Sequence, residues 1–85
     1  MRATILQYMT RLINSEDVNE MKTIQEKLVG LIDDANFAMD EDKAIQMKRL
    51  ITSTIKNYVD TSDVTLKSAL EEHYNTLNLF LVTKP

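Results

Sequence analysis

The sequence predicts an all-α fold: a single domain over residues 1–85 that forms an antiparallel bundle of four helices. Glycine and proline occur once each, whereas a small all-β domain needs several turns that usually contain glycine. Apolar side chains recur at helical spacing along most of the chain. Helix-start residues at Ser15, Asp40 and Thr61 or Ser62 then divide it into segments of about 2–13, 16–38, 41–59 and 63–81.

The first two segments are separated by a short polar break. Asn14 and Ser15 end the first helix, because their side chains compete for backbone hydrogen bonds. Asp17 and Glu20 have the spacing of an N-cap and its N3 partner at the start of the second helix. The apolar stripe of that helix alternates steps of three and four residues: Met21, Ile24, Leu28, Leu31, Ala35 and Ala38.

Gly30 lies in the middle of the second predicted helix. A glycine at such a position costs about 1 kcal/mol relative to alanine. It indicates a tolerated surface position, a kink, or a place where another helix approaches closely.

The third and fourth helices are predicted from their caps and stripes. Asp40 is the expected N-cap of the third helix, and Thr61 or Ser62 that of the fourth. The third helix is expected to bury Ala44, Met47, Ile51, Ile55 and Tyr58, and the fourth Leu66, Leu70, His73, Leu77 and Phe80. From Leu79 to Val82 the chain is apolar on all sides, which predicts insertion between helices or apolar surface for another chain.

Composition excludes several classes of site. The chain has no cysteine and one histidine, which excludes disulfides, zinc-thiolate sites and multi-histidine metal sites within one chain. No run of 18 apolar residues is present, so we expect no membrane insertion. The amino-terminal residues lack the continuous apolar region of a signal peptide. We therefore expect a cytoplasmic protein.

Catalytic and metal sites are not predicted. The acidic residues of segment 33–42 lack the glycine at the turn that a calcium-binding EF-hand loop requires, so helix capping explains them better. His73 falls on the apolar stripe of the fourth helix and is expected to be a partly buried, hydrogen-bonded histidine. We predict no catalytic residue, no metal and no cofactor. A small all-helical enzyme using scattered charged side chains remains an alternative.

Nucleic-acid binding is disfavoured by the net charge of −3, because lysine and arginine supply most of the affinity for phosphates. The third helix nevertheless carries a modestly basic set, Lys43, Lys48, Arg49 and Lys56. A DNA-linked transcriptional regulator is therefore an alternative. We expect instead a solvated face balanced by the acidic second helix.

The sequence favours a small acidic protein–protein interaction module, a regulator or adaptor that binds a protein partner and self-associates as a homodimer. Helices two and four are the expected contact elements. The candidate interface residues are apolar positions outside or at the edge of the main stripes: Phe37, Met39, Leu79, Phe80 and Val82.

The chain also resembles one family. In its length, its lack of cysteine and its amino-terminal run MRATILQYMTRLINSEDVNEMK, it is similar to the cytoplasmic antiholins of T4-like phages, which are lysis inhibition accessory proteins. The resemblance implies binding to the cytoplasmic segment of a membrane holin and a delay of lysis. It carries no diagnostic motif, and so it assigns no residue a role.

Overall fold

The fold is an all-α bundle, seen in a computed structural model that describes residues 2–82. Its helices are α1 (Arg2–Asn14), α2 (Val18–Asp34), α3 (Glu41–Thr61) and α4 (Leu66–Phe80). α1 and α3 each pack against both α2 and α4. The connections are short, so consecutive helices run antiparallel. The predicted fold class is confirmed.

The core is formed by one apolar stripe from each helix. These stripes coincide with the periodic positions of the sequence, as expected for amphipathic helices that bury one face. Complete burial of such a side chain contributes about 1.5–3 kcal/mol. The largest fully buried side chains are Ile5, Met9, Leu12, Leu28, Ile32, Ile51, Ile55, Leu70 and Leu77.

The second helix ends earlier than predicted, at Asp34 instead of residue 38. Asp33 and Asp34 place carboxylates at its carboxyl end, where the helix dipole disfavours negative charge. The following segment pairs with the end of α4 instead. The Ala38 N–H donates to the Phe80 carbonyl at 2.8 Å, and the Val82 N–H donates to the Asn36 carbonyl at 2.9 Å.

The two predicted helix starts in the first half of the chain differ in their capping. Asp17 is the N-cap of α2, and its carboxylate accepts a hydrogen bond from the Asn19 N–H at 2.9 Å. Asp40 is the N-cap of α3 as predicted, but its side chain makes no capping hydrogen bond. Glu41 and Asp42 lie in the first turn of α3, where negative charge complements the helix dipole.

The predicted start of the fourth helix at Thr61 or Ser62 is wrong. Thr61 is the last residue of α3, and Ser62 is its left-handed C-cap, with φ 52°. The Asp63 carboxylate then accepts hydrogen bonds from the N–H of Thr65 at 2.9 Å and from its hydroxyl at 2.7 Å. These bonds lower the pKa of Asp63. They fix the turn, and α4 begins only at Leu66.

Gly30 is an exposed position inside α2. Its φ is not positive, so its conformation does not require glycine. A Cβ atom added at Gly30 would meet no heavy atom within 4 Å. Close packing within the chain is therefore not the reason for this glycine.

Replacement of Gly30 by alanine is expected to raise the free energy of unfolding by about 1 kcal/mol. The added methyl group meets open space, while the unfolded chain loses conformational freedom. Urea denaturation followed by circular dichroism measures the change. An unchanged or lowered midpoint, at a protein concentration too low for self-association, would contradict the reading of Gly30 as a helical position that is sterically unconstrained within the chain.

Candidate interaction surfaces

The five candidate interface residues occupy different environments. Phe37 is only 8% exposed and belongs to the core, where an isolated antiparallel β-bridge pairs it with Leu81, which is equally buried. Met39 is half-buried. Phe80, Val82 and Leu79 are 38%, 44% and 76% exposed. The structure thus leaves four of the five candidates at the surface.

Met39 and Phe80 come together in an open groove, the α3–α4 groove. Phe80 was predicted to point inward from α4, but its ring forms part of the groove wall. The other wall is one face of α3, since its residues recur at steps of three and four. The groove is lined by Met39, Lys43, Gln46, Met47, Leu50 and Phe80.

Backbone pairing fixes the two walls of this groove relative to each other. The hydrogen bond from Ala38 to the Phe80 carbonyl joins the residue before Met39 directly to the end of α4. Leu50 projects from the α3 wall and is 53% exposed. Leu50 is not among the surface candidates that the sequence indicates, although it lies one turn beyond the half-buried Met47 on the same side of α3.

A second open groove, the α2–α3 groove, is lined mainly by charged and polar side chains. Three cationic side chains of α3, Lys48, Arg49 and Lys56, line it together with Gly30 and the carboxylates of Asp33 and Asp60. The Lys48 ammonium donates a hydrogen bond to the Asp33 carbonyl at 2.7 Å. It therefore caps the carboxyl end of α2, where the helix dipole favours a cation.

The basic residues of the third helix do not share one groove. Lys43 lines the α3–α4 groove, whereas Lys48, Arg49 and Lys56 line the α2–α3 groove. Two carboxylates lie beside the latter three. A recognition helix in the major groove of DNA presents base-contacting residues along one face, and this division of the cations does not favour such a surface.

His73 lies inside the bundle, as predicted, and is 8% exposed. Its Nε2 atom is 3.1 Å from the Thr54 hydroxyl oxygen. The Thr54 hydroxyl already donates its proton to the Leu50 carbonyl at 2.9 Å. A neutral imidazole that carries its proton on Nε2 donates it to the Thr54 hydroxyl, and this tautomer is compatible with both hydrogen bonds. Burial lowers the pKa of His73, and the nearby Glu72 carboxylate opposes that shift.

Metal ligands are not gathered in the described part of the chain. Over residues 2–82, no group of three or more histidine, aspartate or glutamate side chains lies in a position to hold a metal ion. In the same range, no helix has the length and apolar character needed to cross a membrane.

Comparison with protein-family models, with curated proteins and with solved structures finds no significant match. The class of protein is therefore defined by its architecture, a small all-α helical bundle whose surface includes an apolar groove and a charged groove.

Protonation of His73 is expected to destabilise the fold at mildly acidic pH. The pKa of His73 is lower in the folded state than its ordinary value of 6.5, so the unfolded chain binds more protons. The stabilisation is fully present above pH 6.5 and is lost as the pH falls through that value towards the folded-state pKa. Urea midpoints measured between pH 5 and pH 8 test this expectation.

The control is His73→Gln, whose amide also donates a hydrogen bond but does not titrate in this range. The variant is expected to lose the part of the pH dependence that lies just below pH 6.5. An identical pH profile for both proteins would show that His73 is not responsible.

Proposed function

We propose that this protein is a small helical interaction module that binds an apolar segment of a partner protein in the α3–α4 groove. The observation that carries the proposal is the exposure of two large apolar side chains, Leu50 at 53% and Phe80 at 38%, on opposite walls of one groove. Large apolar side chains that converge on a groove are typical of surfaces that bind proteins.

The composition of the groove suits a helical or extended apolar ligand. Met39 and Met47 line it and are half-buried, and methionine side chains adapt their shape to different partners. Lys43 and Gln46 supply polar groups at the same face of α3. Apolar area covered by a partner contributes about 25 cal/mol per Å². This arrangement resembles the helix-in-groove mode of peptide recognition.

The resemblance to the cytoplasmic antiholins of T4-like phages supplies a specific form of the proposal. In that form, the protein acts as a regulator in the cytoplasm, and its ligand is the cytoplasmic segment of a membrane holin. Occupation of the groove would then delay lysis. Support for this form comes from the length and the amino-terminal run of the chain, and support for the groove comes from the fold.

The groove is tested by Leu50→Glu, which places a charge in an apolar contact without disturbing the core. We expect affinity for a synthetic peptide of the cytoplasmic segment of a T4-like holin to fall by about tenfold or more, as for a central interface residue. Isothermal titration calorimetry measures the affinity. The matched control is Ile45→Glu, because Ile45 is 42% exposed on the same helix but does not line the groove.

Three outcomes would each contradict a part of the proposal. Failure of the wild-type protein to bind the holin peptide would remove the antiholin form. Equal losses of binding in Leu50→Glu and Ile45→Glu would remove the α3–α4 groove as the binding site. Retention of the wild-type lysis delay by Leu50→Glu in infected cells would also contradict the groove.

A further inference from the structure

One face of α2 is exposed and lies opposite the buried face of the helix. We call the row of residues along this exposed face the α2 crest. Its members recur at steps of four and three residues, the spacing of one helix face. The fold does not require a glycine at Gly30, in the middle of this crest, since an added Cβ would meet open space. A glycine there instead lets another helix approach the α2 backbone closely. The crest consists of Asn19, Thr23, Glu26, Gly30 and Asp33, all exposed.

Two acidic residues of α2 and two basic residues of α3 lie around Gly30, and each pair has the same spacing in the sequence. Glu26 and Asp33 lie seven positions apart on the α2 crest, and Arg49 and Lys56 lie seven positions apart on α3. Seven residues of α-helix span about 10.5 Å. The acidic pair and the basic pair therefore have the same spacing and opposite sign.

The register of α2 and α3 brings these pairs to the same levels along the bundle. The hydrogen bond from Lys48 to the Asp33 carbonyl places the turn of α3 that contains Lys48 and Arg49 beside the last turn of α2. Because α2 and α3 are antiparallel, moving back along α2 to Glu26 corresponds to moving forward along α3 to Lys56. Gly30 lies between the two levels, and it lines the α2–α3 groove.

We propose that two copies of this chain form a dimer in which the α2 crest of each copy lies in the α2–α3 groove of the other. A two-fold axis parallel to the helices keeps every residue at its own level in both copies. Asp33 of one copy then faces Arg49 of the second copy, and Glu26 faces Lys56. Such an interface is self-complementary, as two-fold symmetry requires, and Gly30 permits close contact between the two α2 helices.

Charge favours a second copy over nucleic acid as the occupant of this groove. A continuous row of phosphates would place negative charge beside Asp60, which lines the groove one turn beyond Lys56. The α2 crest of a second copy presents two carboxylates at the spacing of Arg49 and Lys56. The proposal does not depend on the α3–α4 groove, whose lining includes none of the residues of the α2–α3 groove.

A charge exchange between two variants tests the dimer. The first variant carries Arg49→Glu and Lys56→Glu, and the second carries Glu26→Lys and Asp33→Lys. Each variant alone would bring like charges together at both contacts, so we expect its dimer dissociation constant to rise by about tenfold or more. An equimolar mixture restores opposite charges at both contacts, so we expect it to form a heterodimer. Sedimentation velocity measures all three samples, with the wild type as reference.

Two controls separate the interface from net charge and from folding. The pair Lys43→Glu and Lys67→Glu changes the net charge as much as the first variant but lies outside the groove, and it is expected to remain dimeric. Gly30→Leu fills the proposed point of close approach and is expected to be a folded monomer, since leucine is a good helix former. The equivalent change Ser68→Leu on α4 is expected to remain dimeric. Circular dichroism establishes that each variant is folded.

The proposal is overturned if the wild type sediments as a monomer at all accessible concentrations. It is also overturned if the mixture of folded charge variants stays monomeric, or if folded Gly30→Leu dimerises like the wild type. Binding of duplex DNA by the wild type, lost in the Arg49→Glu and Lys56→Glu variant without any dimer in either protein, would assign the groove to nucleic acid instead.

Discussion

The pairing of the α2–α3 connection with the end of α4 determines the arrangement of the chain at the end of the bundle where α2 and α4 finish and α3 begins. Two backbone hydrogen bonds, from Ala38 to the Phe80 carbonyl and from Val82 to the Asn36 carbonyl, join segments that are far apart in sequence. They satisfy polar backbone groups that would otherwise need water. The same contact pairs two buried side chains of the core, Phe37 and Leu81. Met39 and Phe80, which line the apolar groove, take their positions from it.

Hydrophobic spacing was sufficient to predict the fold class, because each helix buries a continuous stripe that is periodic in the sequence. Capping residues predicted the positions of the helix starts less reliably. Asp17 caps α2 as its position indicates, yet Ser62, which is also of a residue type favoured at N-caps, adopts a left-handed conformation and ends α3. The residue type alone does not distinguish the start of one helix from the end of the preceding helix. The Asp63–Thr65 turn decides between them by delaying the start of α4.

The candidate surface was predicted only in part, for a similar reason. Leu79 and Val82 are exposed because the apolar run exceeds what one buried face can hold. Phe37 was misplaced because the β-bridge that buries it links residues 37 and 81, and no local pattern indicates a contact at that separation. Leu50 was missed because it is adjacent in sequence to the buried Ile51. Leu50 is exposed because of the orientation of α3 about its own axis, and this orientation is set by packing against α2 and α4.

α3 lines both grooves, and the side chains that it contributes to one groove differ in chemistry from those that it contributes to the other. Met47 and Leu50 face one side, towards α4, whereas Arg49 and Lys56 face the other, towards α2. A helix that packs against two neighbours in a bundle keeps an exposed face with two margins, and here one margin is apolar and the other cationic. Apolar contact gives affinity that depends little on salt, whereas paired charges mainly select orientation and partner. The proposed dimer and the proposed partner complex therefore use different residues, because neither contact needs the side chains that line the other groove.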